Sequence, residues 1–87
     1  MIKNSDINEI FNKKTILITG GTGSFGSTML EKIKNLNCKI KIFSRDELKQ
    51  DLLRSKINNK NIDFIIGDVR DLNSVNDAMK GVNIVFH

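Results

Sequence analysis

Gly20, Gly23 and Gly26 stand three residues apart, with Thr22, Ser24 and Phe25 between them, directly after the apolar run Thr15 to Thr19. Glycines at this spacing suit a loop that holds a pyrophosphate. The first permits a tight turn, the second lets phosphate oxygens approach the backbone with no Cβ in the way, and the third lets a helix pack closely on a strand. A helix beginning there offers unpaired N–H groups and the positive end of its dipole to the same phosphates. Thr22 and Ser24 add hydroxyl or backbone donors, and Phe25 is expected to pack under the helix. A P-loop is excluded, because it needs a lysine before its Ser or Thr and Gly26 leads directly into Ser27 and Thr28.

A dinucleotide held by such a loop has its adenosine ribose at the end of the next strand. NAD sites place an acid there for the ribose 2′-hydroxyl, whereas NADP sites offer an arginine or hydroxyl to the 2′-phosphate. Here the second apolar run ends in Ser44 and Arg45, which favours NADP. Asp46, two residues into the turn, suits a helix start better than a ribose. Asp68 and Val69 follow a third apolar run, where Asp68 can accept from the adenine amino group and Val69 can cover the ring.

The elements that position these residues alternate. Thr15 to Thr19, Lys39 to Phe43, Ile62 to Gly67 and Asn83 to His87 read as short buried strands. Between them lie three amphipathic stripes: Phe25, Met29, Leu30, Ile33 and Leu36; Leu48, Leu52, Leu53 and Ile57; Leu72, Val75, Met79 and Val82. Ser44 and Glu47 have capping-box spacing, Asp71 suits the N-cap of the third helix, and Gly81 suits its close. The predicted class is α/β, a Rossmann βαβαβαβ unit with a parallel sheet in the order 3-2-1-4. It occupies residues 15–87, behind a polar lead, residues 1–14, with one helical turn.

The remaining composition removes other classes. At 39% apolar and 28% charged the 87-residue chain is ordinary globular material. The single Cys38 and single His87 leave no disulfide and no metal cluster, so Cys38 reads as a small residue at the mouth of a strand and His87 as a strand end without a partner. The net charge of +4 is spread along the chain rather than gathered beside aromatics, which argues against nucleic acid. No apolar run has the length of a membrane span or a signal peptide, and a cytoplasmic location is expected.

Thr19 to Gly26 resembles the loop of extended short-chain dehydrogenases/reductases. Ser44-Arg45-Asp46-Glu47-Leu48-Lys49-Gln50 together with Gly67 to Leu72 resembles the inverting UDP-N-acetylglucosamine 4,6-dehydratases and their capsular-polysaccharide relatives. The resemblance implies that Thr22 to Phe25 hold the cofactor phosphates, that Ser44, Arg45, Asp46, Glu47, Leu48 and Lys49 hold the adenosine phosphate end, and that Asp68 and Val69 hold the adenine. It implies a reaction as well: oxidation of the sugar at C4, loss of water across C5 and C6, and return of hydride to C6 with inversion at C5. That chemistry needs a Tyr-x-x-x-Lys pair, and the chain has no tyrosine. The catalytic residues are therefore expected beyond residue 87, in a longer enzyme that takes a nucleotide-sugar substrate and forms homo-oligomers. A nucleotide-sugar 4-epimerase and a non-catalytic NADP sensor are the competing readings.

Overall fold

The computed structural model describes residues 4–20, 24–57 and 59–87. In chain order the elements are α1 (Asn4–Phe11), β1 (Thr15–Thr19), α2 (Ser24–Ile33), β2 (Lys39–Ser44), α3 (Glu47–Lys56), β3 (Ile62–Ile66), α4 (Leu72–Met79) and β4 (Ile84–Phe86). The four strands form one parallel sheet in the order β3-β2-β1-β4. This is the expected Rossmann arrangement, and it follows from right-handed crossovers between parallel strands.

Strand pleating divides the core in two. Ile16, Ile18, Ile40, Ile42 and Ile62 point to one face, where Leu30 and Ile33 of α2 cover them and Leu53 and Ile57 approach from the α3 segment. Leu17 and Phe43 point to the other face, against Ala78 with Val75 and Val82. Lys41 shares that second face in register with Leu17. Its Nζ donates to the carbonyls of Ala78 (3.1 Å) and Lys80 (2.8 Å), satisfying the carboxyl end of α4.

Four local expectations change. The polar lead holds an eight-residue helix rather than a single turn. Its Phe11 is buried and packs against Phe86 with ring centroids 6.0 Å apart, so a stretch that reads as polar contributes to the core. The Ser44–Glu47 capping box does not form. Because α3 begins at Glu47, Asp46 is the N-cap and accepts from the Lys49 N–H at 3.0 Å, while Ser44 is still strand, opposite Ile66.

The stripes of α3 and α4 are also turned from their predicted faces. Leu48 and Leu52 of α3 are exposed, and the residue buried beneath that helix is Gln50, in line with Leu53 and Ile57 at helical spacing. In α4 the seam runs through Val75, Ala78 and Val82, leaving Leu72 and Met79 exposed. Asp71 caps α4 as expected, accepting from the Asn73 N–H (3.1 Å) and the Ser74 hydroxyl (2.8 Å), and Gly81 ends the segment at φ +73°.

Candidate cofactor site

In an open parallel sheet, ligands lie outside the carboxyl ends of the strands, where successive connections leave in opposite directions. Here that point falls between β1 and β4, because the chain runs from β1 to β2 on one side and returns to β4 on the other. A cleft of about 440 Å³ opens there. Its floor is Thr19 and Gly20 from the end of β1, with Phe43 and Ser44 from the end of β2. Gly20 makes the turn at φ +65°, a conformation that favours glycine, and its N–H is tied to the Phe43 carbonyl at 2.8 Å.

The wall comes from Gly67, Asp68, Val69 and Arg70, which follow β3, and from Arg45 and His87. Gly67 has a packing reason to be glycine: a Cβ there would lie 2.6 Å from the Phe43 ring. Its N–H also donates to the Ser44 carbonyl at 2.9 Å, extending the β2–β3 ladder to the rim of the cleft. Val69 is half exposed and offers an apolar surface of the kind an aromatic ring would cover.

Charge at the rim is organised around Asp68. Its two oxygens accept from the Arg70 guanidinium at 2.7 to 3.1 Å, and Oδ1 also accepts from the Arg70 N–H at 2.9 Å. The Arg45 Nη1 stands 3.7 Å from Oδ2. Hydrogen bonds from the Arg70 side chain, then its backbone, hold the Asp68 carboxyl down at about 2, with the Arg45 charge adding to the effect. Arg45 remains largely exposed, a guanidinium at the cleft held, among the described residues, by one long ion pair to Asp68.

Of the residues singled out from the sequence, Gly20, Ser44, Arg45, Asp68 and Val69 line this cleft together. Asp46, Glu47, Leu48 and Lys49 form the cap and first turn of α3, all exposed and outside the lining. Ser24 and Phe25 begin α2, whose N-terminus follows the glycine loop, and Gly26 is buried within it. Thr22 and Gly23 lie outside the described residues. Thr19, Gly67, Arg70 and His87 are members of the lining that the sequence reading did not assign to the site. His87 does have a partner: its Nδ1 is 2.6 Å from the Thr19 hydroxyl. The two are 68 residues apart and meet only because β4 pairs beside β1, which no local pattern announces.

Cys38 is buried beneath α2, and burial pushes its thiol pKa up. Among the described residues no group of three or more His, Cys, Asp or Glu could hold a metal ion, and no helix is long and apolar enough to cross a membrane.

The sheet order and the position of the cleft at its switch point define a Rossmann fold. Residues 16–87 match the family model described as polysaccharide biosynthesis protein, and the chain belongs to that family. A UDP-glucose 4-epimerase from Rickettsia bellii (strain RML369-C) is 55% identical over 84 residues, and one from Rickettsia prowazekii (strain Madrid E) is 49% identical over 83. Each match covers 90% of this chain and 24% of the relative, so the chain spans about a quarter of the length of these curated relatives. Among solved structures, Pen from Bacillus thuringiensis is 38% identical with a TM-score of 0.84, covering 88% of this chain and 24% of that one. A short chain dehydrogenase from Bacillus anthracis str. 'Ames Ancestor' is 20% identical with a TM-score of 0.69, covering 83% and 34%. At that identity the likeness shows the shared fold.

Proposed function

We propose that this chain binds NADP as the cofactor-holding part of an enzyme that modifies a nucleotide-linked sugar. One observation carries the cofactor: Ser44 and Arg45 line the cleft at the end of β2, whereas the neighbouring acid, Asp46, is committed to capping α3. An NAD site would need that carboxylate at the ribose 2′-hydroxyl. A 2′-phosphate meets instead a hydroxyl and an exposed guanidinium, a pairing worth about 1.5 to 3 kcal/mol, or roughly tenfold to a hundredfold in affinity.

The residues fit the rest of the dinucleotide. A helix N-terminus such as that of α2, directly after the glycine loop, would offer N–H groups to the pyrophosphate, Val69 would cover one face of the adenine, and the ionised Asp68 would accept from its amino group. When bound, the nicotinamide supplies a hydride acceptor and later a hydride donor. Thr19 and His87 tie the ends of β1 and β4 together at the cleft.

The family match and the relatives' names support a nucleotide-sugar substrate, and the motif resemblance implies oxidation at the sugar C4 as the first step. The Ser44 to Gln50 and Gly67 to Leu72 motifs favour the inverting 4,6-dehydratase outcome. The relatives' names favour 4-epimerisation, which begins with the same oxidation. The complete gene product, incubated with UDP-N-acetylglucosamine and separately with UDP-glucose, is followed by proton NMR. A 4-keto-6-deoxy sugar inverted at C5 is the expected product. A C4 epimer would favour the second reading, and bound cofactor without any sugar product would leave a sensor.

A further inference from the structure

Gln50 is wholly buried on α3, a position where an apolar side chain would continue the seam with Leu53 and Ile57. Its amide reaches the underside of the cleft. Nε2 lies 2.9 Å from the Ile65 carbonyl, 3.0 Å from the Ser44 hydroxyl and 3.4 Å from the Ser44 carbonyl. Two of these three oxygens are carbonyls that only accept, so the amide nitrogen, not its oxygen, must face them. Oε1 is left buried and without a donor among the described residues. The side chain therefore serves through its donating end.

The consequence falls on Ser44. Its carbonyl already accepts from the Gly67 N–H, so the two Nε2 hydrogens go to the closer oxygens, those of Ile65 and the Ser44 hydroxyl. A hydroxyl has one hydrogen to give. Gln50 fills an acceptor position of Ser44 and cannot take its proton, so that proton remains available to donate. Ser44 lines the cleft, and no acceptor for its hydroxyl is found among the described residues.

We infer that Gln50 is a positioning residue for cofactor selection: it fixes the Ser44 hydroxyl as a donor toward the 2′-phosphate and so sharpens discrimination between NADP and NAD. This rests on the NADP reading above. Donation from the amide also polarises the hydroxyl, strengthening the bond it gives.

Calorimetric titration of the protein with adenosine 2′,5′-bisphosphate and with ADP isolates the 2′-phosphate, and a cycle of Ser44→Ala, Gln50→Met and the double variant tests the coupling. The unsubstituted protein is expected to prefer the bisphosphate. Gln50→Met should lower that preference on the order of fivefold with ADP binding little changed, and should have no further effect once Ser44 is alanine. Gln50→Leu, which likewise removes the donor from the Ser44 hydroxyl, should lower it as well and serves if Gln50→Met melts early. Equal loss of both ligands, or additive effects in the cycle, would assign Gln50 to folding alone and overturn the inference while leaving the NADP reading intact. An unsubstituted protein that binds both ligands equally overturns the NADP reading, and the inference with it.

Discussion

At the residue scale, two positions decide how the rim of the cleft is built. Gly67 is pressed against the ring of Phe43, itself fully buried, so neither side can yield cheaply to a new methyl group. Gly67→Ala is expected to destabilise the fold by about 1 to 3 kcal/mol, measured by urea denaturation, as overpacking does in other cores. Asp68 gives a second test. Its carboxyl, held at about 2 by Arg70, is depressed in the folded state, so the pairing is complete at pH values above the ordinary carboxylate pKa and is lost as pH falls through about 2. Carbon-13 NMR of the Asp68 carboxyl should show that low midpoint, and Arg70→Ala should return it toward 3.8, the ordinary value. A midpoint unmoved by that substitution would show that Arg70 is not the cause. Neither the Gly67 contact nor the Arg70 pairing follows from spacing alone. The ring beneath Gly67 belongs to another strand, and Arg70 reads in sequence as one surface charge among many.

At the element scale, alternation and punctuation are legible in the sequence while rotation is not. Strand order follows from four short apolar runs and their crossovers, and Asp71 and Gly81 mark the limits of the α4 segment because caps act locally. The face a helix buries is set by neighbours. In α3 the inward position is polar Gln50, so an apolar count selects Leu48 and Leu52, which are exposed. In α4 the inward position is small Ala78, close under the sheet, and the larger Leu72 and Met79 turn out. The Asp71 cap accepts from both a backbone N–H and Ser74. Asp71→Ala should therefore cost about 1 kcal/mol or somewhat more in urea denaturation, with Asp71→Asn recovering much of it. No loss on removal would mean that the turn after Asp68 holds the helix start unaided.

At the scale of the whole molecule, β4 pairs with β1 alone among the described residues, and Val69, Met79 and Val85 leave apolar surface beside it around a second cleft of about 260 Å³. Open strand edges next to apolar surface favour association. The isolated 87-residue chain is expected to gain mass with concentration in size-exclusion chromatography with light scattering, and Val85→Lys to shift it toward monomer. A constant monomer mass would show that the edge is protected. The candidate cofactor cleft belongs to this scale too: Gly20, Ser44, Arg45, Asp68 and Val69 are readable one by one at the ends of strands, but Thr19, Arg70 and His87 join them only once the sheet is assembled. We propose that this assembled edge selects NADP through Ser44 and Arg45. Calorimetric titration of the protein and of its Ser44→Asp/Arg45→Ala variant with NADP and NAD tests it most directly. NADP is expected to bind the unsubstituted protein at least about tenfold more tightly than NAD, and the variant to lose NADP far more than NAD. Equal affinity for the two cofactors, or equal losses in the variant, would contradict it.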